Sequence, residues 1–164
     1  MDQGPPHASP ALAKRVAEAP SGFRQLLGYK VVEWRENEAV VSLAIAPRHL
    51  NRSGVIHGGV IATLIDAAGG FAGCWCPVEG HARKSRTVSM TVNYVAANST
   101  GRLTARARVS GGGHKIFHSS VDVLDAEGKI VATGSAAYKY APGSETTEGV
   151  AVPRKPEKRG TPLG

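Results

Sequence analysis

Residues 57–78 read HGGVIATLIDAAGGFAGCWCPV, and between His57 and Pro77 the only formally charged side chain is Asp66. Apolar or small residues surround that carboxylate on every side. A helix that is apolar all round is buried, either within a protein or within a membrane. A mid-span Asp costs about 2.5–3.5 kcal/mol on insertion scales, and the five glycines of the stretch add nothing to insertion. The segments on either side are amphipathic strands that need something to wrap. The stretch therefore reads as a long central helix inside a sheet.

Upstream, the hydrophobic period is two. Val32 and Trp34 alternate with charge, Glu36-Asn37 marks a turn, and Val41, Leu43 and Ile45 continue on a second strand. Downstream, Val88, Met90, Val92 and Tyr94 alternate with Thr87, Ser89, Thr91 and Asn93. Leu103 to Val109, Phe117 to Leu124 and Ile130 to Tyr140 read as three further strands. They are separated by Gly111-Gly112-Gly113 and by the turn Asp125-Ala126-Glu127-Gly128. Two strands, one long helix and four strands make an antiparallel α+β domain. Its span is 21–141, after an N-terminal tail and short helix over 1–20 (the helix over Ala11–Ala19) and before a flexible C-terminal tail over 142–164. Ser21 is the expected N-cap of a second short helix that ends at Gly28.

The chain has 164 residues, 41% hydrophobic and 20% charged, the profile of one globular domain. Met1 to Pro10 lack the apolar core of a secretory signal, and Cys74 and Cys76 read as buried thiols in a reducing, cytoplasmic setting. No His, Cys or carboxylate spacing indicates a metal. The net charge of +7 comes from scattered basic residues without interleaved aromatics, which argues against nucleic acid. Mild positive charge suits an anionic small molecule.

A buried Asp is costly unless paired, hydrogen-bonded or put to use. Asp66 can cap or pair with Arg83 or Lys84; alternatively it is a general base or nucleophile, for which the ionised form is correct at neutral pH. His57-Gly58-Gly59 opens the helix, where free N–H groups and the macrodipole favour developing negative charge. The glycines equally permit a tight turn into the helix. His57 alone suits a structural hydrogen bond, and Asn51 suits an Asx-turn in Asn51-Arg52-Ser53-Gly54.

Taken together, Asn51, His57-Gly58-Gly59 six residues on and Asp66 nine after the histidine resemble the hotdog-fold thioesterases of the PaaI type, over roughly residues 22–141. The resemblance implies a sheet wrapped around one helix and hydrolysis of an acyl-CoA, aryl or medium-chain, to free acid and CoA. It implies Asp66 activating water or attacking the thioester. Gly58 N–H and Asn51 would polarise the carbonyl, His57 would orient the site or the departing thiolate, and Thr87 would supply a hydroxyl. Strict alternation, however, puts Thr87 on the polar face of its strand. CoA itself is part of the substrate, and no cofactor is implied. Gly59, His114, Lys115, Arg83 and Arg86 are the candidate contacts to CoA, with Phe71, Trp75 and Met90 as candidate walls of the acyl pocket.

Gly58 and Asp66 lie about 12 Å apart along a helix at 1.5 Å per residue. One thioester carbon hardly reaches both, so the site is expected between the subunits of a homodimer, with a homotetramer of two such dimers as the alternative assembly. Two other readings stand beside hydrolysis: a non-catalytic acyl-CoA-binding hotdog protein, and an acyl-CoA dehydratase. The HGG opening argues against the second, and the retained Asp66 against the first.

Overall fold

The computed structural model describes residues 21–152. The expected helix over Ala11–Ala19 lies outside them. Helix α1 (Gly22–Leu27) starts where Ser21 accepts from the Arg24 N–H and stops at Gly28, whose φ of 82° is left-handed. Strands β1 (Lys30–Arg35) and β2 (Glu38–Ala44) form a hairpin turned at Asn37, φ 62°. A 3-10 turn (Pro47–His49) and an irregular loop lead to α2 (Gly58–Gly73). Then come β3 (His81–Ala82), β4 (Ser85–Tyr94), β5 (Arg102–Gly112), β6 (Ile116–Leu124), β7 (Ile130–Tyr140) and β8 (Val150–Ala151).

The main sheet is antiparallel throughout, in the order β1-β2-β5-β6-β7-β4. It curls around α2, which buries Val60, Ile61, Leu64, Ile65, Ala68 and Ala72 among Val41, Leu43, Leu103, Ala105, Val121 and Val123. Burying each large aliphatic side chain contributes about 1.5–3 kcal/mol, so this layer is the main source of stability. The opposite face of α2, with Gly59, Thr63, Asp66 and Gly70, is only partly covered. The sheet therefore encloses the helix on one side rather than all round.

Polar side chains of the sheet also stitch the helix down. Trp34 Nε1 donates to the Phe71 carbonyl at 2.7 Å, Ser119 Oγ to Gly69 at 3.0 Å, Tyr138 OH to Asp66 at 3.0 Å and Tyr140 OH to Gly73 at 2.9 Å. The Phe71 and Gly73 carbonyls lie in the last turn, where helical partners run out. Beyond β7, Ser144 is fully buried and accepts from the Lys84 N–H, while β8 pairs with β3. Residues 142–152, grouped by composition with the tail, thus fold back on the domain through strands too short to leave a periodic signal.

Strand β4 carries the feature that matters most for the site. Its pairing with β7 runs Ser85↔Tyr140 and Thr87↔Tyr138, then resumes at Ser89↔Ala137 and Met90↔Ala136, leaving Val88 as a bulge. Directly paired residues in an antiparallel ladder point to the same face. Tyr138 and Tyr140 reach α2, so Ser85 and Thr87 face α2 as well, whereas past the bulge Met90, Val92 and Tyr94 do. The extra residue changes the parity of the strand and turns Thr87 from its expected polar face to the helix.

Candidate active site

Two groups of side chains stand at the two ends of this arrangement. The first surrounds Asp66, at the middle of the exposed face of α2. Thr87 Oγ1 donates to Asp66 Oδ1 at 2.5 Å, which occupies one carboxylate oxygen and holds the group in place. Beneath it, Tyr138 donates to the Asp66 main-chain carbonyl. Burial, and secondarily the Asp66 charge, push the Tyr138 phenol well above its ordinary range, so it remains a donor at any physiological pH. Asp66 is partly exposed rather than buried, and neither Arg83 nor Lys84 is paired with it. The Arg83 guanidinium instead donates to the Ser144 and Glu145 carbonyls and lies 4.3 Å from the Tyr140 ring centroid.

The second group is the helix entrance. His57 is its N-cap, with Nδ1 accepting from the Gly59 N–H at 2.9 Å. Val60 N–H goes to the His57 carbonyl at 2.9 Å. The Gly58 N–H has no partner among the described residues, so the free first-turn donor falls on that glycine. Because Nδ1 accepts, His57 carries its proton on Nε2, on the exposed side. Asn51 does form the Asx-turn: its Oδ1 accepts from Ser53 N–H at 2.8 Å and Val55 N–H at 3.3 Å. That leaves the amide nitrogen outward as a donor. Buried His49 anchors the same loop, accepting from Ala46 N–H, bonding the Leu27 carbonyl at 2.8 Å, and receiving the His57 N–H on its own carbonyl.

Tyr94, which strand periodicity alone does not single out, joins this second group. Its hydroxyl donates to the Gly58 carbonyl at 2.9 Å, and a Cβ at residue 58 would stand 3.1 Å from the ring carbon and the oxygen. A cavity of about 370 Å³ opens here, lined by Ile56, Gly58, Ile61, Tyr94, Val95 and two alanines. The expected walls lie elsewhere: Phe71 packs edge-on against Trp34, ring centroids 5.3 Å apart, and neither Trp75 nor Met90 lines the cavity. The reason is directional, since the helix faces that meet β1 and β4 are fixed by sheet curvature, which strand periodicity does not report. Arg86 is exposed on β4, and His114 and Lys115 are exposed in the β5–β6 turn. The structure does not bring these three basic residues together with Asp66 or Gly58.

The thioesterase superfamily model matches residues 53–132, a stretch that includes His57, Gly58, Asp66 and Thr87. Over that stretch the chain is similar to that superfamily, and its fold is the hotdog fold. Within it the similarity extends to PaaI proteins. A mutant of the phenylacetic acid degradation protein PaaI from Thermus thermophilus is 26% identical, over 71% of this chain and 96% of that one, with a TM-score of 0.61. A conserved protein of Pseudomonas aeruginosa is 28% identical, over 74% and 95%, with a TM-score of 0.66. A protein of Saccharolobus solfataricus that bears an esterase name is 28% identical over 114 residues, 70% of this chain and 79% of that one.

Proposed function

We propose that the chain hydrolyses an acyl-CoA to the free acid and CoA, at a site assembled from two copies. The observation that carries this reading is the pair of half-sites just described. One offers a carboxylate steadied by a hydroxyl on one oxygen and free on the other. The second offers an unpartnered N–H at the positive end of a helix, to which the Asn51 amide would add a second donor. The first can take a proton from water or attack directly; the second can hold the negative charge that builds on a thioester oxygen. The net charge of +7 favours an anionic substrate such as a CoA thioester.

Strand β4 explains how the halves meet. It is the edge of the sheet, and it touches Asp66 through Thr87 near one end and Gly58 through Tyr94 at the other. An antiparallel pairing of two β4 edges, centred near Met90, sets Thr87 of one copy opposite Tyr94 of the other. Asp66 then faces the second copy's Gly58. The edge suits burial, because Val88 and Tyr94 are 58% and 56% exposed in one chain.

In hydrolysis, water oxygen attacks the thioester carbon as its proton passes to the Asp66 carboxylate. The carbonyl electrons move onto oxygen against the Gly58 N–H and the Asn51 amide. When the carbonyl re-forms, the C–S bond breaks and the thiolate recovers the proton, with His57 Nε2–H positioned on the exposed side of the entrance. Direct attack by Asp66 would give a mixed anhydride that water then opens, with the same overall balance.

Thiol release from aryl and straight-chain acyl-CoAs tests the proposal. Asp66→Asn keeps an oxygen for Thr87, and its turnover is expected to fall about 10²–10⁴-fold, the range of a lost general base, with folding and dimerisation unchanged. Turnover that survives Asp66→Asn, or a wild type that binds acyl-CoA without cleaving it, would overturn the reading.

A further inference from the structure

Tyr94 lies outside the constellation that defines the site, yet it touches the atoms on which that site depends. Its O–H donates to the Gly58 carbonyl at 2.9 Å. The peptide that bears this carbonyl bears the Gly59 N–H, which donates to His57 Nδ1 at 2.9 Å. A continuous chain therefore runs from the phenol through the Gly58–Gly59 peptide to the imidazole. Hydrogen bonds in series polarise and orient one another. The chain fixes the plane of the peptide that follows the free Gly58 N–H, and it keeps the His57 proton on Nε2.

The same ring is a wall of the cavity that opens at Gly58. The remaining lining is Ile56, Ile61, Val95, Ala96 and Ala97, with no charged side chain. Three of the main-chain donors on that lining are engaged, Ile56 N–H with the Asn98 carbonyl at 2.8 Å, and Val95 and Ala96 N–H with Val131 at 2.9 and 3.1 Å, while the Gly58 N–H stays free for the thioester carbonyl. The one polar side chain, the phenol, is engaged with Gly58. A polar substituent entering this chamber would lose water and meet no charged side chain and no free side-chain donor there. At about 370 Å³, the chamber is at the small end of ligand pockets, roughly 300–1,000 Å³. It suits an acyl group alone.

We propose that Tyr94 is both a positioning residue and the determinant of acyl length. Its hydroxyl sets the Gly58–Gly59 peptide through the carbonyl, and its ring closes a chamber for an uncharged, apolar acyl group beside the Gly58 N–H. The proposal rests on the thioesterase reading, and its two parts separate experimentally. Tyr94→Phe removes the hydroxyl and keeps the wall. Tyr94→Leu shortens the wall.

The experiment uses acetyl- to dodecanoyl-CoA and a hydroxyacyl-CoA of matched length. For Tyr94→Phe, kcat is expected to fall about threefold to tenfold, the worth of one neutral hydrogen bond. KM and the length optimum stay in place, and the ¹⁵N shifts of Gly58, Gly59 and the His57 ring nitrogens move. For Tyr94→Leu, the optimum shifts to longer chains. The wild type should favour the plain acyl group over its hydroxy analogue by up to about 10²-fold, the limit for an apolar pocket. An unchanged kcat and unchanged nitrogen shifts in Tyr94→Phe would overturn the positioning role. An unchanged length profile in Tyr94→Leu would overturn the specificity role. If the wild type cleaves none of the panel, the thioesterase reading fails by itself. The same acyl-CoAs then serve as stable ligands in calorimetric titrations, and the specificity role stands or falls on whether Tyr94→Leu shifts the length dependence of Kd.

Discussion

Helix α2 contains two glycine pairs that look alike in the sequence and do opposite work. Gly58-Gly59 opens the helix, and what matters there is the main chain: a free N–H, a carbonyl held by Tyr94 and an N–H capped by His57. Gly69-Gly70, with Gly73 a turn later, lies where the helix presses on aromatic rings. A Cβ at Gly69 would stand 2.3 Å from the Tyr138 oxygen, and one at Gly73 would stand 2.1 Å from a Phe117 ring carbon. The first pair leaves a main-chain donor uncovered; the second removes side chains so that a sheet can approach. Composition cannot distinguish them, because glycine is the answer to both requirements.

The most damaging way to sharpen this contrast is Gly73→Ala. The added methyl has no room, since Phe117 is stacked on Tyr138 at 4.9 Å and packed against Tyr140 at 4.8 Å between ring centroids. Neither neighbour can yield without giving up its bond to a helix carbonyl. Overpacking of this kind costs about 1–3 kcal/mol. Urea denaturation is expected to show that loss, while the specific activity of the folded fraction stays near wild type. A stability loss below about 0.5 kcal/mol would mean that the helix shifts easily on its sheet.

Gly58→Ala should produce the reverse pattern. The Cβ meets the Tyr94 ring at 3.1 Å rather than 2.1 Å, and the phenol is 56% exposed, so it can move by a few tenths of an ångström. Stability should change by less than about 1 kcal/mol. Displacing the donor geometry should lower kcat/KM by about tenfold, by scaling from the larger cost of a full ångström. Thiol release measured beside thermal unfolding checks both halves. A variant that unfolds while its folded fraction keeps full activity would erase the distinction between the pairs.

Much of this architecture was legible before any coordinates, because the signals were local. An apolar stretch with one carboxylate can only be a covered helix, and alternation marks β2, β5, β6 and β7 plainly. What escaped was set by neighbours. Strand alternation placed Thr87 on the polar face, whereas its contact with Asp66 exists because Val88 bulges against β7. That bulge belongs to the pairing of two strands and leaves no mark on one. Tyr94 read as one more apolar position on its strand, and its bond to Gly58 depends on how the sheet edge curls over the helix entrance. Arg83 read as a partner for Asp66 or for CoA, because its actual partners are main-chain carbonyls some sixty residues away, at Ser144 and Glu145.

The smallest predicted effect asks the most discriminating question, because Gly70 is the neighbour of a crowded glycine and is not itself crowded. A Cβ there would lie 3.5 Å from the nearest Tyr138 carbon, an ordinary contact. Within one chain, Gly70→Ala therefore gains helix propensity at no steric cost and should stabilise by about 0.5–1 kcal/mol. The partly covered face that holds Gly70 also holds Asp66 and is where a second copy would approach. Urea midpoints at several fixed chain concentrations separate the two influences, since only a crowded partner interface makes the change depend on concentration. A gain at every concentration means that the second copy leaves room over Gly70. A loss that appears only where the chain is associated means that Gly70, like Gly69, is glycine for the sake of a close approach, with the approaching surface belonging to another subunit.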